Sequence, residues 1–182
     1  MRVIAGRKRG TKLFAPKDDR VRPTADRVKE AVFGALQNTI PGAKVLDLFC
    51  GSGALGIEAW SRGADEVILS DKSASSIELA KKNVSAVGNP PEIKIIKKSY
   101  AECIKMFKNS REFDIVFIDP PYKAGLYNNI LQDIADNDIL CNGALIIVES
   151  DSPADIENSA FGLWKQKKYG GTIISFLRQP GD

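Results

Sequence analysis

A doubly wound α/β domain with a mostly parallel sheet is the architecture this sequence predicts, and three observations predict it. Short apolar runs alternate with segments of helical periodicity from Lys44 to Glu149, the order that builds a parallel sheet with crossover helices. The first of those runs ends on a glycine-rich turn, Gly51-Ser-Gly53, and a helix-capable segment follows. Near the C-terminus, two strand-like runs meet at Gly170-Gly171, a tight turn that closes the sheet with an antiparallel hairpin.

Taken in order, the elements begin with Arg2 to Gly6 and Thr11 to Ala15, two short strands around the turn Arg7-Lys8-Arg9-Gly10. They read as a small basic β-hairpin. After Arg22-Pro23, Thr24 is a candidate N-cap, Asp26 falls in the first turn, and Val28, Val32, Ala35 and Leu36 follow at helical spacing. Thr39 to Ala43 breaks that helix. Strands are expected at Lys44–Leu48, Val67–Ser70, Ile93–Lys97, Asp114–Ile118 and Ala144–Glu149. Helices fill the gaps at Ala54–Arg62, Ser73–Val87, Ala101–Phe107 and Leu126–Ala135, two of them stopped by Gly63 and Gly88. The closing hairpin is Leu163–Tyr169 with Thr172–Leu177.

With 182 residues and 43% apolar content, the chain is expected to be a single domain: a basic extension over 1–43 and a catalytic core over 44–182. The absence of an apolar leader and of any run near the roughly 20 residues that span a bilayer points to a cytoplasmic protein with no membrane partner. Three widely spaced cysteines show no disulfide or metal pattern. The chain has no histidine, which excludes a Ser-His-Asp or Cys-His relay and a histidine-ligated metal. Chemistry must therefore run on carboxylates, backbone carbonyls and aromatics, and no metal is expected. The net charge of +3 is unevenly placed. Through Lys29, ten Lys and Arg face three Asp for a net of +7, whereas the remainder is −4. Such a basic arm on a mildly acidic body suits a polyanion.

The spacing Gly51-x-Gly53-x-x-Gly56 brings backbone N–H groups and a helix N-terminus to one spot. It serves nicotinamide and flavin enzymes as well as other nucleotide binders. Asp47, four residues before the first glycine, shifts the balance, because a carboxylate there attracts a cationic amine and repels a pyrophosphate. S-adenosylmethionine carries such an amine and no phosphate. Twenty residues past Gly51, Asp71 suits the two ribose hydroxyls of an adenosine-type cofactor, or else caps the helix near Ser73. The deciding motif is Ile118-Asp119-Pro120-Pro121-Tyr122 at the carboxyl end of the fourth strand. Two prolines fix an extended backbone without N–H groups, leaving the Asp119 carboxylate and the Pro120 carbonyl as acceptors for an amino group conjugated to a ring. Tyr122 offers a flat face for the base.

These residues resemble the bacterial small-subunit (16S) rRNA guanine-N2-methyltransferases of the RsmD type. The resemblance rests on Arg2-Val-Ile-Ala-Gly6, Arg22-Pro-Thr-Ala-Asp-Arg-Val-Lys-Glu30, Asp47 through Ala59, Asp119 through Tyr122, and Val148-Glu149. It implies a Rossmann-like methyltransferase sheet, S-adenosyl-L-methionine as cofactor, and the exocyclic amine of one guanine in a 16S rRNA hairpin loop as substrate. The RNA would be presented on an assembling small subunit; apart from the resemblance, the sequence shows no heptad or obvious apolar patch, and a monomer is expected. Asp47, Gly51 and Gly53 would hold the methionine end and Asp71 the ribose, with Phe49, Ser52, Lys72 and Asp119 completing the cofactor set and Ser99 and Tyr100 near the adenine. Arg2, Arg7, Lys8, Arg9, Lys12, Arg20, Arg22 and Arg27 would contact RNA. Other amino-methyltransferases, acting on DNA adenine or a protein amide, share Asp-Pro-Pro-Tyr-like motifs. A nicotinamide oxidoreductase leaves Asp47 and Asp119 unexplained.

Overall fold

The structure is a computed structural model that describes residues 1–16, 23–121, 126–152, 156 and 160–180. Twelve elements follow in order: α1 (Pro23–Ala35), β1 (Lys44–Asp47), α2 (Ala54–Ser61), β2 (Glu66–Asp71), α3 (Ala74–Ala86), β3 (Ile93–Lys97), α4 (Tyr100–Met106), β4 (Phe113–Ile118), α5 (Leu126–Asn137), β5 (Leu140–Ser150), β6 (Gly162–Tyr169) and β7 (Thr172–Arg178). They form one seven-stranded sheet in the order β3-β2-β1-β4-β5-β7-β6. The pairings from β3 across to β5 are parallel, and those of β7 with β5 and with β6 are antiparallel.

The central strands read as unbroken apolar runs because helices cover them on both faces. One layer packs Val45, Phe117, Ile147 and Phe176 against α1, α2 and α3; the other packs Leu46, Val116, Ile146 and Leu177 against α4 and α5. Phe33 of α1 meets Phe117 at 5.8 Å between ring centroids. Gly56 lets α2 lie directly on β2, since a Cβ there would stand 2.3 Å from Leu69 Cδ2. No described helix is long and apolar enough to cross a membrane.

Three local expectations are corrected. Helix α1 opens at Pro23, placing Thr24 in its first turn rather than before it; proline fits there because a first-turn N–H needs no intrahelical acceptor. Strand β5 begins at Leu140 rather than Ala144, with an irregularity in its pairing to β4 between Phe113 and Ile115. The basic N-terminal segment turns as expected, yet its ladder is one bridge, Arg2 with Lys12, supported by Val3 N–H to Thr11 O at 3.0 Å and Gly10 N–H to Val3 O at 2.9 Å. The pairing stops because the Ile4 and Ala5 N–H groups donate to Glu58 of α2, at 2.8 and 3.0 Å. Gly6 then runs against the end of α2 with φ of 82°, so close that a Cβ would sit 1.9 Å from Ser61 O, which only glycine permits.

Candidate active site

Neighbouring strands deliver three carboxylates to one edge of the sheet. Asp47 ends β1, Asp71 ends β2 and Asp119 directly follows β4, while β1 pairs with both of the others. The chain leaves β1 toward β2 on one side and returns to β4 on the other, which opens the crevice in which α/β sheets bind ligands.

Asp47 is 1% exposed and its Oδ1 has no hydrogen-bond partner. Burial pushes its pKa up to about 7, and the nearby Asp71 charge adds to the rise, although the N–H groups of Phe49 and Gly56 oppose it. Beyond β1, the Cys50 N–H donates to Ser70 O and the Gly53 N–H to Cys50 O, at 2.9 and 2.6 Å, bending the chain into a turn. Gly51 takes φ of 51° there, and a Cβ on it would meet no atom within 4 Å beyond its chain neighbours. Space is therefore open over the turn, and α2 begins immediately after it.

Asp71 does more than face that space. Its Oδ2 accepts the Gly51 N–H at 3.0 Å and its Oδ1 the Ser73 N–H at 2.8 Å, tying the glycine turn to the end of β2. The N-cap of α3 is Ser73, which accepts from Ser76 N–H at 3.4 Å. Lys72 between them is exposed. Phe49 and Tyr100 come together with ring centroids 5.8 Å apart, forming an aromatic wall from the turn to α4. Ser99 caps α4 in a reciprocal box with Glu102. Asp119 is half-buried, Pro120 buried and Pro121 exposed; Tyr122, Arg20 and Arg22 lie outside the described residues.

Residues 1–178 match a family model described as conserved hypothetical protein 95. The chain is 36% identical to ribosomal RNA small subunit methyltransferase D of Haemophilus influenzae, over 97% of its own length and 91% of that relative. It is 37% identical to the protein of the same name in Escherichia coli K12, covering 83% and 75%. The chain belongs to the ribosomal RNA small subunit methyltransferase D family. The solved Escherichia coli structure yhhF superposes with a TM-score of 0.87 at 31% identity, over 98% of both chains. The ribosomal protein L11 methylase of Lactobacillus delbrueckii shares the fold alone, at 20% identity and a TM-score of 0.67.

In this member of the methyltransferase D family, two buried polar residues that motif reading did not single out hold the basic arm in place. Glu58, 0% exposed, receives the Ile4 and Ala5 N–H groups, Arg62 Nε at 2.8 Å and the Lys29 ammonium at 3.4 Å. Lys29 belongs to the basic tally of the arm but is itself buried and donates to Arg2 O at 2.5 Å. Burial lowers its pKa, and Glu58 opposes that shift. Asn83 of α3 accepts the Phe14 N–H at 2.7 Å and donates to Phe14 O and to Ser52 O of the glycine turn, at 3.0 and 2.8 Å. The arm residues these two side chains hold lie more than fifty residues away in sequence, so no local pattern reveals the contacts.

The arm runs along α2. Met1 and Phe14 sit beside the glycine turn, with Ser52 Oγ 3.8 Å from Met1 Sδ. The arginine-rich tip lies at the far end of that helix, where the Arg7 guanidinium is 5.1 Å from the Trp60 ring centroid and the Lys8 N–H donates to Ser61 Oγ at 3.0 Å. Arg2, Arg9 and Arg27 line one groove of about 600 Å³ together with Arg62, Asp26 and Glu30. Lys12 is exposed on the opposite side of the bridge from Arg2.

Proposed function

We propose that this protein uses S-adenosyl-L-methionine to methylate the exocyclic N2 amine of a guanine in 16S rRNA, acting as a cytoplasmic monomer on a partly assembled small subunit. The observation that carries the reading is the placement of Asp119-Pro120 at the end of β4, beside Asp47 and the open glycine turn that end β1. Relatives covering most of the chain bear the name of small subunit rRNA methyltransferases, which supports RNA over other amine substrates.

Two features fit the cofactor. The unpartnered Oδ1 of buried Asp47 suits a cationic amine, and the space over Gly51 admits a ligand close to the turn, whose Gly51 and Gly53 N–H groups themselves donate to Asp71 and to Cys50 O. Asp47, Gly51, Ser52 and Gly53 would hold the amino-acid end. Asp71 keeps lone pairs free for ribose hydroxyls, because a carboxylate has about four acceptor sites and two serve Gly51 and Ser73. Phe49 and Tyr100 would flank the base, with Ser99 and Lys72 nearby. When bound, S-adenosylmethionine supplies an electrophilic methyl group.

The nucleobase amine is a poor nucleophile because its lone pair is delocalised into the ring. The Asp119 carboxylate and the Pro120 carbonyl accept its two N–H groups, favouring a pyramidal nitrogen. Both acceptors are held by a strand end and by proline backbone, so they need no reorganisation during reaction. Positioning supplies most of the acceleration, roughly 7–11 kcal/mol in well-oriented systems. The amine proton becomes acidic only once the new N–C bond forms, and the Asp119 carboxylate would receive it.

The test is transfer of labelled methyl to 16S rRNA, naked and as protein-bound small subunits, followed by nucleoside analysis. N2-methylguanosine is the expected product; label appearing only in DNA adenine or a protein amide would replace the substrate assignment. Asp119→Ala should reduce turnover by about 10²–10³-fold while sparing cofactor affinity. A variant with near-normal turnover would remove Asp119 from the mechanism.

A further inference from the structure

The sheet ends at β6, and that edge carries a composition its pairing with β7 does not require. Trp164, Lys165, Lys167 and Lys168 stand along it with no acid among them. Trp164 is 46% exposed. Its ring lies edge-on to Phe176, with centroids 6.1 Å apart, and the Arg178 guanidinium is 4.3 Å from its centroid. Strand register places the lysines at the level of the active site: Lys167 pairs with Ile174, Ile174 with Glu149, and Glu149 follows Val148, the partner of Ile118. Lys167 therefore shares a row with Asp119, three strand spacings or about 14 Å along the sheet. Lys168 lies one row further toward the carboxyl ends of the parallel strands. Both lysines border a groove of about 310 Å³ with Gln166, Ile173 and Asp151, the acid that faces them.

Lysines on an edge strand have a simpler use, which is to repel other strands. That use does not account for a large aromatic ring left half in solvent beneath a guanidinium. An exposed aromatic among cations is the combination that stacks an unpaired base while neutralising neighbouring phosphates. We propose that β6 is a second RNA-binding surface, where Lys167 and Lys168 bind phosphates level with the target nucleotide, and Lys165 and Trp164, two to three rows nearer the amino ends of the parallel strands, bind the chain further on, Trp164 by stacking an unpaired base. The proposal rests on the rRNA reading above. The arm is anchored on α2 and α3, over β1, β2 and β3, whereas β6 closes the other end of the sheet. The β6 surface thus stands on the other side of Asp119 from the helices that carry the arm.

The experiment compares full-length wild-type protein with Trp164→Ala, Trp164→Phe and the double variant Lys167→Glu/Lys168→Glu. It measures rRNA affinity at several salt concentrations, S-adenosylmethionine affinity by calorimetry, and kcat and KM for methyl transfer. The double variant should bind rRNA about tenfold more weakly, with the salt slope reduced by about 0.7 for each phosphate that lysine no longer neutralises. Its KM should rise more than its kcat falls, with cofactor affinity and circular dichroism unchanged. Trp164→Phe should retain more RNA affinity than Trp164→Ala. Variants with wild-type KM and salt slope would overturn the β6 surface and leave the rRNA reading standing. Variants that aggregate but bind RNA normally in their soluble fraction would assign the lysines to edge protection alone and likewise overturn it. Failure of the wild-type protein to methylate or bind rRNA would overturn the reading beneath it.

Discussion

The proposed cofactor site rests most heavily on one side chain, Asp47. Its pKa of about 7 is set by burial, and a bound ammonium group would favour the charged carboxylate and draw that value down. Below pH 7, cofactor binding must therefore expel a proton. S-adenosylmethionine affinity should fall toward tenfold per pH unit as pH drops from 7 to 5. It should also decline above about 8, where an α-amino group loses its own proton. Calorimetry in buffers of different ionisation heat checks both limbs, and a flat profile between pH 5 and 7 would place the amine elsewhere. The same shift acts on stability with the opposite benefit. The unfolded carboxylate ionises near its ordinary value of 3.8 while the folded one stays protonated to about 7, so Asp47 subtracts stability as pH rises through that window, on the order of 4 kcal/mol by pH 8. Asp47→Asn should raise the thermal midpoint of the cofactor-free protein at pH 8, more than at pH 5, while weakening cofactor binding.

The N-terminal arm shows what a side chain can impose on an element. Glu58 takes N–H groups that would otherwise pair in a hairpin and fastens the arm to α2, with Lys29 and Arg62 balancing its charge. Glu58→Gln would leave buried Lys29 without its counter-charge, a change that typically costs about 3–5 kcal/mol. Hydrogen exchange should accelerate at Ile4 and Ala5 well before β4. The substitution also makes the protein more positive by one charge, which alone would strengthen RNA binding, so a loss of rRNA affinity would report positioning of the arm. Unchanged affinity would show that charge suffices without placement. These anchors also mark the limit of what the sequence discloses. The inner parallel strands β1, β2, β4 and β5 were legible because burial on both faces writes largely apolar runs, edge strand β3 by its isoleucines among lysines, and the glycine turn and Asp119-Pro120-Pro121 because tight backbone geometry needs particular residues. Glu58 and Asn83 were not, since their arm partners are 53 to 69 residues distant and neither lies in a periodic or turn pattern. The hydrogen bond that ties Asp71 to the glycine turn, from the Gly51 N–H twenty residues before it, was hidden for the same reason, as was the Phe49–Tyr100 contact; the Ser73 N–H bond to Asp71 is the local cap the sequence offered.

Across the whole molecule, the basic arm and the glycine turn share a structural member. Asn83 is fully buried and bonds to Phe14 on one side and to Ser52 O on the other, while Met1 reaches Ser52. On the proposed function, a ligand that orders the glycine turn would remove part of the freedom that RNA binding removes from the arm, and the reverse would hold equally. The expected outcome is positive coupling, with rRNA raising S-adenosylmethionine affinity by about fivefold or more and the cofactor raising rRNA affinity by the same factor, as linkage requires. Asn83→Ala should weaken each ligand modestly but bring the coupling factor toward one. That signature separates a shared strut from simple destabilisation, which would lower both affinities and leave their ratio intact. Four binding constants per protein, each ligand alone and in the presence of saturating partner, complete the measurement; equal coupling in wild type and variant would show that arm and turn respond independently of Asn83.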